Sequence, residues 1–227
     1  MPKWQKMSNQ KITVSKVMRN NLFPIAKEGW SYIGYAFAAF IVFAILDLEL
    51  LEFVAFAAIF VFAFVFRNPE RVLPAFEEGS VVSPVDGVVV AIEELQEGEY
   101  AYKVEIESSY MNVAVLRVPL TSEVNSFKVV RGTRLPKQNQ LSRILNENAE
   151  IVFQDKNANA IKVTHRLKKS FAPIKLGMFA SQKFTQGARY GTALNTTTLL
   201  YLPQNFRLNV NVGTEVKASE TLIGYFS

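Results

Sequence analysis

The chain contains no cysteine and only one histidine, His165, among its 227 residues. The lack of cysteine excludes disulfides and thiolate metal sites, and it leaves the redox compartment open. One histidine cannot form the multi-histidine site that many metal ions require. The sequence therefore predicts no metal site.

Outside its first 29 residues, the chain carries no net charge. Residues 1–29 contain six basic residues and one acidic residue, so this arm accounts for the whole net charge of +5. Basic arms bind nucleic acid or anionic lipid. Lipid is favoured, because an apolar segment follows the arm, and we expect no nucleic-acid partner. That segment starts too late for a signal peptide and lacks a small-residue cleavage site.

The apolar segment extends from Trp30 to Phe66 and raises the hydrophobic content to 49%. Its two runs, Trp30–Leu46 and Phe53–Phe66, would span roughly 21–25 Å each as helices. Between them lies Asp47-Leu-Glu-Leu-Leu-Glu52, whose carboxylates are costly at a bilayer centre. We therefore predict a membrane hairpin over residues 30–66 with the acidic turn in water. A shallow re-entrant hairpin and a helical pair buried in a soluble core are the alternatives.

The hairpin would return both basic flanks to one side of the membrane. The positive-inside rule makes that side the cytoplasm, which predicts a protein of the inner (plasma) membrane with its remaining domain on the cytoplasmic side.

Residues 67–227 have the pattern of a mostly β domain, a β-rich α+β fold with few helices. Short alternating segments are separated by turn residues, which is typical of a compact β domain. The predicted strands lie within Ser80–Glu93, Tyr102–Ile106, Met111–Val118, Glu123–Val130, Glu150–Gln154, Ala160–His165, Thr196–Leu202 and Arg207–Val212. The stretch Gly187–Pro203 predicts a tight turn that enters the strand Thr196–Leu202, which Pro203 ends.

Several motifs occur in a characteristic order. They are Phe66-Arg-Asn-Pro-Glu-Arg71, Val82-Ser-Pro-Val-Asp-Gly87, Met111-Asn-Val-Ala-Val-Leu-Arg-Val-Pro119, Leu145-Asn-Glu-Asn148, Gln182-Lys-Phe-Thr-Gln-Gly-Ala-Arg-Tyr-Gly191 and the closing segment from Val212. Together with the hydrophobic hairpin, they resemble the short, bacterial and archaeal type of phosphatidylserine decarboxylase over about residues 30–227. The resemblance implies a decarboxylase-like domain with barrel-sandwich character, in which segments around Ser83–Val88 and Gly213–Gly224 pair.

The resemblance also implies a chemistry. In this family a Gly-Ser pair cleaves itself, and the serine becomes a pyruvoyl group that acts as an electron sink in decarboxylation. Here the pair reads Asn195-Thr196, so self-cleavage after Asn195 would give Thr196 a 2-oxobutyryl cap. The resemblance assigns Asp86 to the self-cleavage apparatus. The ordinary alternatives are a turn aspartate at Asp86 and a plain strand residue at Thr196.

Three positions depart from the family pattern. Asn195 replaces glycine and adds a side chain at a crowded scissile bond, Thr196 replaces serine, and Ala114 stands where the family has histidine. Arg117 keeps its place, whereas Leu116 replaces asparagine. His165 lies in a different segment, at a predicted strand end, where we expect it to face solvent.

These departures predict a phosphatidylserine decarboxylase-related membrane protein of phosphatidylethanolamine metabolism that is impaired or inactive in self-processing. Such a pseudoenzyme would carry either the keto-acyl group that the resemblance implies or no cofactor. Its expected partners are a phospholipid membrane, an anionic or serine-headed lipid, a second copy of the chain, or an active decarboxylase paralogue. The alternative is a non-catalytic, membrane-anchored lipid-binding protein or adaptor, because a β domain on an anchor can bind partners without chemistry.

Overall fold

A computed structural model of the chain describes residues 23–77, 79–96 and 98–227. Two helices, α1 (Gly29–Ile45) and α2 (Glu49–Val65), come first, and a β-rich region with one short helix, α3 (Ser142–Leu145), follows. The predicted mostly β fold is confirmed. Most of the predicted N-terminal arm, residues 1–22, lies outside the described residues.

Helices α1 and α2 pack side by side in opposite directions. Ring centroids of Phe40 and Phe56 lie 5.8 Å apart, and those of Tyr32 and Phe62 lie 5.7 Å apart. The turn between the helices passes through Asp47 in a left-handed conformation, with φ 53°. Each helix has 17 residues. Within the described residues, no helix combines the length and the apolar character that crossing a membrane requires.

The strands form one large sheet and two small ones. Their bounds in chain order are β1 Ser80–Val82, β2 Gly87–Glu94, β3 Tyr102–Glu107, β4 Val115–Arg117, β5 Ser122–Val130, β6 Asn148–Gln154, β7 Ala160–Leu167, β8 Lys175–Leu176, β9 Lys183–Phe184, β10 Arg189–Thr192, β11 Thr196–Leu202, β12 Phe206–Leu208, β13 Glu215–Val216 and β14 Leu222–Phe226. The large sheet has the order β13-β2-β3-β11-β7-β6-β5-β9, and the small sheets have the orders β1-β14-β12 and β4-β10-β8.

Strand β11 lies inside the large sheet, with antiparallel neighbours β3 and β7. Its observed bounds, Thr196–Leu202, are those predicted from the sequence. The core that it helps to form contains fully buried branched residues from several strands, among them Ile106, Ile151, Val163 and Leu200. The first residue of β11 is therefore fixed by pairing on both sides.

Two predicted strands are shorter than expected. Of Met111–Val118, only Val115–Arg117 is strand, because the Asn112 side chain accepts hydrogen bonds from the backbone and hydroxyl of Ser109 and holds residues 109–112 in a turn. Of Arg207–Val212, only the beginning pairs, since Asn211 and Gly213 enter another turn.

The segments that the resemblance pairs do meet. Strand β13 pairs with β2 through Glu215 and Val88, and β14 pairs with β1. The backbone of Ser83 also exchanges hydrogen bonds with Thr221 and Ser219. The barrel-sandwich description of this arrangement stays a prediction.

Candidate self-cleavage site

The predicted cleavage position lies at the turn where the chain enters β11. Asn195 has φ 53°, a left-handed conformation that glycine adopts freely and that asparagine tolerates better than most residues. Its side-chain Nδ2 donates a hydrogen bond to the carbonyl oxygen of Lys169 at 2.7 Å. The asparagine side chain is therefore held in the turn by a defined partner.

The carbonyl group that self-cleavage would attack is also held. The backbone N–H of Lys168 donates to the carbonyl oxygen of Asn195 at 2.9 Å. On the other side of the bond, the carbonyl oxygen of Thr196 accepts a hydrogen bond from the N–H of Ser108 at 2.9 Å. A donor on the Asn195 oxygen is the kind of contact that stabilises negative charge developing there.

The hydroxyl of Thr196 lacks the group that would activate it. Thr196 is fully buried, and its Oγ1 has no hydrogen-bond partner among the described residues. A general base must lie within hydrogen-bond reach of the proton that it removes. The predicted site therefore contains a hydrogen-bonded carbonyl and a buried hydroxyl, and no base lies within hydrogen-bond reach of that hydroxyl among the described residues.

Ala114, at the position where the family has histidine, lies in an apolar cluster. It packs with Val65, Phe66, Ala172 and Leu194, all buried. Leu194 directly precedes Asn195, so the end of α2 contacts the cleavage position through this cluster. The five buried residues of this cluster are all apolar, and the partly buried Tyr32 and Tyr110 pack against them.

Asp86, directly before β2, is connected to Thr196 through Ser108, but its carboxylate bonds to other groups. The Ser108 hydroxyl donates to the carbonyl oxygen of Asp86 at 2.5 Å, while the Ser108 backbone contacts Thr196. The Asp86 carboxylate accepts from Arg71 Nη2 at 2.6 Å and from the Ala218 N–H at 2.8 Å. Both contacts link the Asp86 carboxylate to neighbouring parts of the fold, which is a structural role.

The ion pair between Arg71 and Asp86 lies near two further arginines, Arg117 and Arg189. Arg117 donates to the carbonyl oxygens of Pro69 at 2.8 Å and Gly187 at 3.2 Å. Burial, together with the nearby Arg189 and Arg71, lowers the pKa of Arg117 to about 10 despite neighbouring carboxylates. Arg189 binds Glu70 at 2.7 Å. These arginines fasten residues 69–71 to the β domain.

We expected His165 to face solvent, and this prediction is wrong. The residue is fully buried on β7. Its Nδ1 lies 2.9 Å from Thr198 Oγ1, and its Nε2 lies 2.6 Å from the hydroxyl of Tyr190. Burial lowers the pKa of His165 to about 3 and raises that of Tyr190. The imidazole is therefore neutral at ordinary pH.

His165 faces Thr198 across the sheet, whereas Thr196 faces Leu167. Two residues along a strand correspond to about 7 Å, so the imidazole bonds the hydroxyl one pleat away from the predicted nucleophile. The expectation that His165 does not replace the missing base agrees with this placement.

Sequence reasoning missed the residues that shape the turn through their backbones. Lys168 and Lys169 act through an N–H and a carbonyl, and Tyr110 donates its hydroxyl to the Lys169 carbonyl at 2.8 Å. Backbone contacts leave no residue-type signal in a sequence. In the described ranges, no cluster of three or more His, Asp or Glu residues forms a candidate metal site.

The surroundings of Thr196 do not fit the formation of a keto-acyl group. A hydroxyl becomes an activated nucleophile only when a neighbouring base accepts its proton, and in this structure no described residue accepts a hydrogen bond from Thr196 Oγ1. The fold and the site together define a β-rich domain with a left-handed turn, the predicted cleavage position, at the start of a central strand and an apolar helical pair beside it.

Comparison with known proteins identifies the family. The family model for phosphatidylserine decarboxylase matches residues 57–224. A phosphatidylserine decarboxylase proenzyme of Geobacter metallireducens is 32% identical over 218 residues, covering 91% of this chain and 99% of the relative. The proenzyme of Geotalea uraniireducens is 31% identical with the same two coverages. No solved structure matches the chain. The chain belongs to the phosphatidylserine decarboxylase family.

Proposed function

We propose that this protein is a membrane-associated relative of phosphatidylserine decarboxylase in phospholipid metabolism that processes itself slowly or not at all. The observation that carries the proposal is the buried Thr196 hydroxyl, which has no hydrogen-bond partner among the described residues. Ala114 and its apolar neighbours occupy the position that the family gives to histidine. Self-cleavage needs a base at this hydroxyl, and the proposed defect is its loss.

The helical pair supports the membrane part of the proposal. Large apolar side chains are exposed along both helices, among them Phe37, Ile41, Phe53 and Phe60. Exposed apolar surfaces of this extent are typical of contacts with membranes or proteins. The acidic residues lie at the turn between the helices, and Arg67 lies at the opposite end. This distribution favours a hairpin that enters lipid with its turn first and keeps the β domain on the cytoplasmic side of the inner membrane.

In this role the protein binds an anionic or serine-headed phospholipid, alone, as a homo-oligomer or beside an active decarboxylase paralogue. The barrel-sandwich character of the β domain is part of the same proposal. The adaptor alternative has no lipid head-group preference, and lipid binding therefore separates the two functions.

A rescue experiment tests the processing defect. The triple variant Ala114→His/Asn195→Gly/Thr196→Ser restores the residues of the family pattern. It should cleave more than the wild-type chain on a denaturing gel after equal incubation in anionic lipid. The variant that also carries Ser108→Ala is a useful comparison, because the Ser108 hydroxyl positions the Asp86 carbonyl. The Geobacter metallireducens relative serves as the positive control for processing.

A lipid assay tests the functional part. Full-length protein in vesicles of phosphatidylcholine with phosphatidylserine should release no carbon dioxide above background while it binds phosphatidylserine in preference to phosphatidylcholine. Wild-type decarboxylation at the rate of the relative would overturn the proposal. Equal binding of both lipids would favour the adaptor.

A further inference from the structure

The segment Arg131–Leu145 combines basic charge with exposed apolar residues, and we call it the basic turn. It contains Arg131, Arg134, Lys137 and Arg143 and no acidic residue. Near its end, Leu141, Ile144 and Leu145 are 53%, 76% and 44% exposed. Spacings of three and four residues place these three side chains on one face of the helical turn formed by α3. The result is an apolar ridge beside basic residues.

The protein holds this ridge firmly in place. The Asn146 side chain bonds both backbone groups of Leu135 and the carbonyl oxygen of Leu167, each at 2.8 Å. Ser142 is buried and bonds backward to Lys137 and Asn139. Contiguous exposed apolar patches are typical of interaction sites. The ridge is therefore a candidate contact surface.

The basic turn is connected to the helical pair. Arg134 Nη1 donates to the carbonyl oxygen of Phe171 at 3.0 Å. The Phe171 ring in turn contacts Tyr32 of α1 at 5.4 Å and Phe62 of α2 at 5.8 Å. The ridge thus belongs to the part of the β domain that lies next to the proposed membrane anchor.

Charge favours lipid over a protein as the partner. Arg131, Arg134 and Lys137 pair with glutamates of the domain. Arg143, on the helical turn itself, makes no ion pair among the described residues, and neither does the exposed Lys169 beside Asn195. Unpaired cations beside apolar side chains are typical of surfaces that rest on anionic lipid.

We propose that the basic turn docks on the surface of an anionic bilayer, as a second lipid contact beside the helical pair. Leu141, Ile144 and Leu145 enter the interfacial region, and Arg143 meets lipid phosphates. The inference rests on the proposed membrane association and adds a specific surface to it.

A single introduced cysteine provides the test, because the chain has no cysteine of its own. The environment-sensitive fluorophore NBD is attached in separate full-length variants Ile144→Cys, Val212→Cys and Phe53→Cys. Val212 is the matched control, since it is 60% exposed on a different turn, and Phe53 reports on the helical pair. Each variant is reconstituted in phosphatidylcholine vesicles with or without phosphatidylglycerol, and with or without brominated acyl chains. Circular dichroism spectra verify that each labelled variant keeps the wild-type fold.

The proposal predicts a blue shift and quenching by brominated lipid at positions 53 and 144, with the effect at 144 larger in phosphatidylglycerol, and neither change at 212. Quenching at 53 without quenching at 144 would overturn the docking and leave the membrane anchor intact. Equal quenching at 144 and 212 would also overturn it. An absence of quenching at all three positions would overturn the anchor and the docking together.

The charge contribution has its own variant. Arg143→Glu should lose the additional quenching that phosphatidylglycerol causes at position 144. Arg207→Glu changes an exposed arginine on β12 and should retain that quenching. Equal behaviour of the two variants would contradict the role given to Arg143.

Discussion

The side chain of Asn195 is tied to the backbone of Lys169 by a hydrogen bond of 2.7 Å. Tyr110 donates to the same carbonyl oxygen at 2.8 Å. The backbone of the preceding residue, Lys168, bonds the Asn195 carbonyl. The peptide bond at the predicted cleavage position is thus held in a defined, left-handed turn. Among the residues that the structure describes, the Thr196 hydroxyl has no hydrogen-bond partner.

The left-handed turn makes residue 195 sensitive to substitution. Asn195→Ala should lower the free energy of unfolding by about 1–2 kcal/mol, because alanine is strained at φ 53° and loses the bond to Lys169. Asn195→Gly should cost less, since glycine adopts this conformation freely. Thermal unfolding of the full chain in detergent, followed by circular dichroism, compares the two. A glycine variant less stable than the alanine variant would contradict this account.

Ala114 is 2% exposed and packs among buried apolar side chains. Ala114→His alone should destabilise the protein by about 1–3 kcal/mol, because it overpacks the contact with Phe66 and Leu194. Ala114→Ser, a smaller polar change, is the comparison. The same unfolding assay measures both variants. If the histidine variant is as stable as wild type, the cluster is looser than described.

The Arg71–Asp86 pair should be the ion pair with the largest effect on stability. Its side chains are 7% and 10% exposed, and removing one partner of a buried pair costs about 3–5 kcal/mol. Arg71→Met should therefore destabilise strongly, because it leaves the Asp86 carboxylate with only the Ala218 N–H. The pair Lys183–Glu123, with much more exposed side chains at 84% and 42%, should lose little on Lys183→Met. Equal losses would argue against a structural role for Asp86.

His165 should remain neutral far into the acid range. Its folded pKa, about 3, lies below its ordinary value of 6.5, so the unfolded chain binds more protons between these values. The contribution of neutral His165 to the free energy of unfolding is therefore fully present above pH 6.5. It decreases as the pH falls toward 3, by up to about 1.4 kcal/mol per pH unit. Because the chain has one histidine, NMR of the imidazole carbon-bound protons follows it directly. Titration of that signal near pH 6.5 would contradict the burial that we describe.

The strand pattern was predictable where local residues decide it. Thr196–Leu202 combines branched residues with a proline at its end, and β11 has those bounds. The burial of His165 had a signal that we did not use. Ile161, Val163 and Leu167 lie at two-residue intervals along β7, on the same face of the strand as His165, and all three are buried. Period-two alternation assigns the histidine to the core.

The contacts that define the site are long-range and could not be predicted. Arg71 and Asp86 lie 15 residues apart, and Asn195 and Lys169 lie 26 apart. Nothing in either local sequence indicates that these groups meet. The shortening of Met111–Val118 depended on a side-chain bond within the turn at Ser109–Asn112, which apolar patterning does not reveal. The absence of a titratable side chain at Ala114, where the resemblance implies histidine, was in contrast visible from residue identity alone.

The intact mass of the purified full-length protein, after long incubation with phosphatidylserine-containing vesicles, tests the central claim most directly. The account predicts that the uncut chain of about 25.6 kDa remains the main species. Complete conversion to two fragments, residues 1–195 and 196–227 with a 2-oxobutyryl cap on the second, would contradict it. That result would mean that Thr196 is activated by a group which the described residues do not place beside it.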